Sequence, residues 1–138
     1  MGSEDLCGFP AFIPNAKDKL HLFNDAGCHT SCVDKHSFGK EALDFADKNY
    51  LKFKEKKCWA SGTFVAKMED FFALPLLTSD ASEPLFKYNF LILNRNNIFS
   101  WEEREEFIGI VTKFIADGKW EDLMQEYRFW DSVLTEIK

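Results

Sequence analysis

Two apolar runs near the middle of the chain limit its fold more than any other feature. They are Phe71-Phe72-Ala73-Leu74-Pro75-Leu76-Leu77 and Tyr88-Asn89-Phe90-Leu91-Ile92-Leu93. Neither alternates apolar with polar residues, so both predict segments buried on two faces. Thr78-Ser79-Asp80-Ala81-Ser82-Glu83-Pro84 lies between them as a polar loop, and the whole unit predicts an antiparallel hairpin. Pro75 has no amide hydrogen to donate, so the first run is an edge strand, bulged, or in part not a strand. Phe64-Val65-Ala66 predicts a further short strand.

Segments buried on both faces need cover, and residues 100–138 supply it as two helices. Phe107, Ile110, Val111, Phe114 and Ile115 make one apolar face. Trp120, Leu123, Met124, Tyr127, Trp130, Leu134 and Ile137 make a second at helical steps. Ser100-Trp101-Glu102-Glu103 fits a capping box, with Ser100 accepting from a free amide and Glu103 reaching back. Glu102, Glu103, Glu105 and Glu106 load the first turns, where the helix dipole favours anions. Gly118 stands where a left-handed residue closes a helix.

The N-terminal part predicts a weak hairpin over residues 8–27, built from Ala11-Phe12-Ile13 and Leu20-His21-Leu22-Phe23, with Pro10 and Pro14 at its edges. Two helices follow, at about 30–36 and 39–54. In the second, Leu43, Ala46, Tyr50 and Phe53 fall at helical spacing and predict the buried face. Lys52, Lys54, Lys56 and Lys57 crowd its end, where cations suit the dipole. The expected fold is α+β: one domain over 1–138, with an N-terminal unit at 7–57 and a hairpin plus two helices at 58–138. An apolar fraction of 46%, with 15 Phe and 4 Trp, excludes a disordered chain. No apolar run approaches the roughly 18 residues of a membrane span.

Charge is divided unevenly. Residues 1–57 hold nine basic and nine acidic side chains; residues 58–138 hold eight and 14, and so carry the whole net charge of −6. Nucleic-acid binding draws on phosphate neutralisation, so the acidic half argues against it and favours a basic protein partner. Trp101 and Phe129, with Glu102 and Glu106, are the candidate interface residues, because large aromatics dominate contact energies.

Cys7, Cys28, His29, Cys32 and His36 lie in the first quarter of the chain. With no secretory signal, the expected compartment is a reducing cytoplasm, where cysteines are free thiols or metal ligands. His29 and Cys32 are three apart at a helix start and share the side of its first turn. A preceding hairpin can bring Cys7 against them, so that one tetrahedral Zn²⁺ would pin hairpin, turn and helix. Over residues 7–50 this segment resembles a degenerate treble-clef zinc finger of the LIM-like kind, whose pattern is C-x2-C, a hairpin, then H-x2-C. The resemblance matches Cys7 to the first cysteine, His29 to the histidine and Cys32 to the last cysteine. Pro10 stands where the second cysteine belongs. A fourth ligand then comes from Cys28, His21, His36 or Cys58, or the fold is kept without metal by Phe9, Phe12, Phe23 and Phe38.

Three functions follow as expectations. The first is a non-enzymatic cytoplasmic protein-binding module, similar in overall character to bacterial immunity-type proteins that neutralise a toxin, with no cofactor. The second is an adaptor module stabilised by one structural Zn²⁺. The third is an enzyme that pairs Cys32 with His36, four residues apart on one helix face.

Overall fold

The structure is a computed structural model. It describes residues 6–123, 126 and 128–138, and the side chains of these apart from Leu6 and Cys7. Strand β1 (Leu6–Gly8) pairs antiparallel with β2 (Gly27–His29), in the register Leu6↔His29, Cys7↔Cys28 and Gly8↔Gly27. Helices α1 (Thr30–Lys35) and α2 (Gly39–Glu55) follow. Strands β3 (Phe71–Ala73) and β4 (Ile92–Asn94) form a second antiparallel pair. Helices α3 (Arg104–Ala116) and α4 (Phe129–Ile137) complete an α+β architecture.

The hairpin expected inside residues 8–27 forms instead from the two ends of that segment and their flanks. Residues Ala11–Ile13 and Leu20–Phe23 do not pair, and His21–Phe23 is a 3-10 turn. Pro10 and Pro14 cannot donate to a ladder. The chain between them buries Phe12, Ile13, Leu20 and Phe23 as an apolar plug. Side chains take over the task of a ladder there: Asn24 Oδ1 accepts from the Ile13 amide at 2.8 Å, and Asp18 Oδ1 accepts from the Leu20 amide at 2.9 Å.

The central hairpin forms, shortened as Pro75 requires. The ladder runs Phe71↔Asn94, Phe72↔Leu93 and Ala73↔Ile92 and then stops. The start of the second run is taken by a 3-10 turn, Pro84–Tyr88. Pro75 contributes its carbonyl, which accepts from the Phe90 amide at 3.1 Å, and Phe90 adopts a left-handed φ of 61°. Burial on two sides holds as the apolar runs predict. Leu74, Leu77, Leu91 and Leu93 join a cluster with Tyr88, Trp101, Phe107, Val111, Trp130 and Ile137. Leu76 and Phe90 cross into the other cluster, beside Phe9, Phe12, Phe23, Val33, Ala42 and Phe45. Residues 58–138 therefore complete the core of residues 7–57. Phe64-Val65-Ala66 forms no strand, only an isolated bridge between Lys57 and Phe64.

Helix α2 buries a different face from the one its spacing predicts. Gly39, Ala42 and Phe45 are its buried residues, while Leu43, Tyr50 and Phe53 are exposed. Of the stripe, Ala46 packs against the N-terminal cluster and Phe53 touches Phe71 of β3, while Leu43 and Tyr50 stay exposed. The lysines at its end sit as the dipole predicts, and Lys56 closes the helix with φ 51°.

Helix α3 follows its pattern in part: Phe107, Val111 and Phe114 are buried and Ile110 is half-buried, while Ile115, at the helix end, is exposed. It ends in a Schellman arrangement: Gly118, at φ 73°, donates to Ile115 O, and Lys119 donates to Phe114 O. The last helix starts at Phe129, not near 120. Asn15 decides this. Its side chain donates to Lys119 O and accepts from the Glu121 amide, and Ala16 donates to Glu121 O. Asp122 Oδ1 then accepts from the Phe129 amide at the head of α4. Met124 and Tyr127 of the expected stripe lie outside the described residues.

Gly39 starts α2 where it passes α1. A Cβ there would stand 1.8 Å from the Val33 carbonyl oxygen, which is backbone and cannot swing away. Gly39→Ala is expected to destabilise the fold by about 3 kcal/mol, the upper end of ordinary overpacking. Urea denaturation checks this; an unchanged midpoint would contradict the packing of α1 on α2.

Candidate functional site

The register of β1 and β2 sets Cys7 and Cys28 directly opposite each other. The Cys7 side chain lies outside the described residues. Cys28 is half-buried; His29 and Cys32 are exposed. Successive strand residues face opposite sides, so Cys28 and His29 point apart. Among the described residues, no three His, Cys, Asp or Glu side chains gather as a metal site. Of the other candidate ligands, His21 lies in the 3-10 turn. His36 uses Nδ1 to accept from the Phe38 amide at 3.0 Å, and its ring packs edge-on against Phe23. That bond uses Nδ1 of His36 to fix the turn between α1 and α2.

Cys58 is fully buried in the other apolar cluster. Burial works to raise its pKa, and hydrogen bonds from Ser61, Asn94 and Asn97 outweigh it, so the thiol sits below its ordinary value. The Asn94 amide donates to Sγ at 3.3 Å, which ties the turn at 58–62 to β4.

Of the interface candidates, Trp101 proves to be a core residue. It is 5% exposed and packs edge-on against Tyr88, because the chain turns inward between Ile98 and α3. Phe129 is half-buried between Trp120 and Trp130. Glu102 and Glu106 are exposed, as expected. The exposed aromatic just before α3 is one the spacing did not single out: Phe99, 67% exposed, with the Arg104 guanidinium 5.0 Å from its ring centre. Arg104 is itself anchored by donating to Ile137 O and Lys138 O.

The capping box does not form. Ser100 Oγ donates to Asn97 O, and Glu103 turns away from the helix. Its carboxylate instead accepts from Trp59 Nε1 at 3.0 Å, Tyr88 OH at 2.9 Å and Lys87 Nζ at 2.5 Å. Three donors favour the charged form, and Lys87 leads in holding the Glu103 carboxyl below its ordinary range. Tyr88 moves the other way: burial first, then its bond to Glu103, push it up to about 12. This cluster is structural, since each partner satisfies another and Tyr88 is fully buried.

A recess of about 740 Å³ lies between the Asn15–Lys19 loop, the Thr78–Glu83 loop and the end of α3. Its charges already answer one another. Lys19 pairs with Glu41 at 2.8 Å, Lys119 with Glu83 at 2.5 Å, and Lys17 donates to Gly118 O at 2.6 Å. Asp18 accepts from Ser79 N and Oγ, and Asp80 accepts from Ser82. A ligand here must displace such a pair.

No family model matches this chain, and no curated protein and no solved structure is detectably similar to it. Among the described residues, no helix is long and apolar enough to cross a membrane.

The Glu103 cluster makes stability depend on pH at both ends. A carboxyl with a depressed folded pKa stabilises fully above its unfolded value, about 4.3, and loses this as pH falls through the folded pKa. A phenol with a raised folded pKa stabilises fully below about pH 10 and loses this as pH rises toward 12. Glu103→Gln is expected to cost roughly 1–3 kcal/mol at pH 7 and progressively less as pH falls through the folded pKa of Glu103. Tyr88→Phe is expected to flatten the alkaline limb. Thermal melts across pH check both; parallel curves for wild type and Glu103→Gln would contradict the assignment.

Proposed function

We propose that this chain is a non-enzymatic protein-binding module whose acidic face at the start of α3 receives a basic partner. One observation carries this: Phe99 stands two-thirds exposed three residues before exposed Glu102, with Glu105 and Glu106 exposed in the first turn of α3. An exposed aromatic close in the chain to several carboxylates, with Arg104 against its ring, supplies an anchor beside an acidic stretch. An inhibitor of the immunity type, covering a basic toxin in the cytoplasm, is a module of this kind. On this reading the N-terminal unit is a treble-clef remnant that keeps its shape through Phe9, Phe12 and Phe23, all buried in one cluster. The same unit supports a second reading, an adaptor with one structural Zn²⁺, because the β1–β2 register places Cys7 opposite Cys28.

A photo-cross-linker in place of Phe99, read in the native host, tests the first reading. Protein adducts are expected at 99 and are expected to disappear with Glu102→Lys/Glu106→Lys. Leu123, also exposed, serves as the control position. Equal adducts at both positions, or none at 99, would count against an interface there. Native mass spectrometry of protein purified without chelator separates the two readings. The metal-free remnant is expected at the bare chain mass, and one bound zinc per chain would establish the adaptor.

A further inference from the structure

We propose that the second half of α2, together with the groove beside it, docks an acidic segment of a partner protein bearing an apolar anchor side chain. This goes beyond the acidic face at α3 and uses none of its residues.

No residue of α2 after Phe45 is buried. Tyr50 is 63% exposed, Leu51 59% and Phe53 47%. Scattered apolar residues are normal on a surface, but these adjoin others. The Lys57–Phe64 bridge brings exposed Phe64 to the end of the helix. Phe53 meets Phe71 of β3 edge-on at 5.1 Å. There the face opens into a groove of about 350 Å³ lined by Phe53, Phe71, Phe72, Phe129, Arg95 and Glu136.

Charge identifies the occupant. Residues 46–57 hold Lys48, Lys52, Lys54, Lys56 and Lys57 against Asp47 and Glu55. Among the described residues, none of these lysines is in an ion pair, whereas Lys19, Lys87, Arg95, Arg104, Lys113 and Lys119 all are. Unpaired ammonium groups around exposed aromatics match carboxylates set around apolar side chains. A polypeptide side chain can fill the groove; a bilayer surface receives projecting groups and leaves a recess empty. A nucleic-acid backbone offers phosphates but no apolar side chain to fill the groove lined by Phe53, Phe71, Phe72 and Phe129. A two-fold dimer through this face would set lysines against lysines.

The test is fluorescence anisotropy with a labelled synthetic peptide, helical, rich in Glu, with Leu and Phe along one face. Binding is expected, weakening as salt rises. Tyr50→Ser and Lys52→Glu/Lys54→Glu are each expected to weaken it by roughly tenfold or more. Both sites are exposed, and circular dichroism confirms that the variants are folded. Glu102→Lys/Glu106→Lys is expected to leave peptide binding undiminished, which keeps this outcome separate from that of the α3 face. Absence of binding, or binding that survives the α2 variants, would overturn the proposal. So would phosphatidylserine vesicles sedimenting the protein through the same residues, or a dimer in ultracentrifugation that Tyr50→Ser dissolves.

Discussion

The segment Phe71–Leu77 is a wall shared by two apolar clusters, and the rest of the structure depends on it. Leu74 and Leu77 face the cluster built on Tyr88, Phe107 and Trp130, and Leu76 faces the one built on Phe12, Phe23 and Phe45. Pro75 has no amide hydrogen to extend the ladder, and the segment leaves β3 after Ala73. Phe90 follows it from the opposite run, in a left-handed conformation that a bulky residue adopts only when its surroundings impose it. Burying its ring, 5% exposed, beside Phe45 supplies that constraint.

Much of the chain lies outside regular elements, and short polar side chains bond its backbone. Asn89 Oδ1 accepts from the Leu77 and Thr78 amides, while its Nδ2 donates to Thr78 O. Asp18 accepts from Leu20 and Ser79, and Asn15 ties the N-terminal loop to residues 119–121. Each replaces a missing ladder partner, since a buried amide without an acceptor costs about 1–3 kcal/mol. Glu103 works in the same way with three side-chain donors.

Two exposed aromatic stretches are left once these needs are met. Phe99 stands just before Glu102 and Glu106 in the chain, and Tyr50, Leu51 and Phe53 stand among the α2 lysines. The charge split between residues 1–57 and 58–138 was readable as composition. The concentration of lysines at the end of α2 was readable too, as complementing the dipole. That these lysines surround uncovered aromatics was not, because the stripe Leu43, Ala46, Tyr50, Phe53 has the spacing of a core face.

The sequence by itself determined where apolar area concentrates: the two central runs, the α3 stripe, the hairpin break at Pro75 and the left-handed close at Gly118. These are local, since periodicity, a missing amide hydrogen and a glycine φ need no distant partner. Tertiary structure decided what competes for each group. Glu103 left its capping box for Trp59, Tyr88 and Lys87; Asn15 held residues 119–121 out of the last helix; and the Leu43–Phe53 stripe was covered only in part, leaving Leu43, Tyr50 and much of Phe53 exposed. Trp101 turned inward and Phe99 outward for the same reason. Spacing says that a face is apolar, and only the packed neighbours say which apolar face is left exposed.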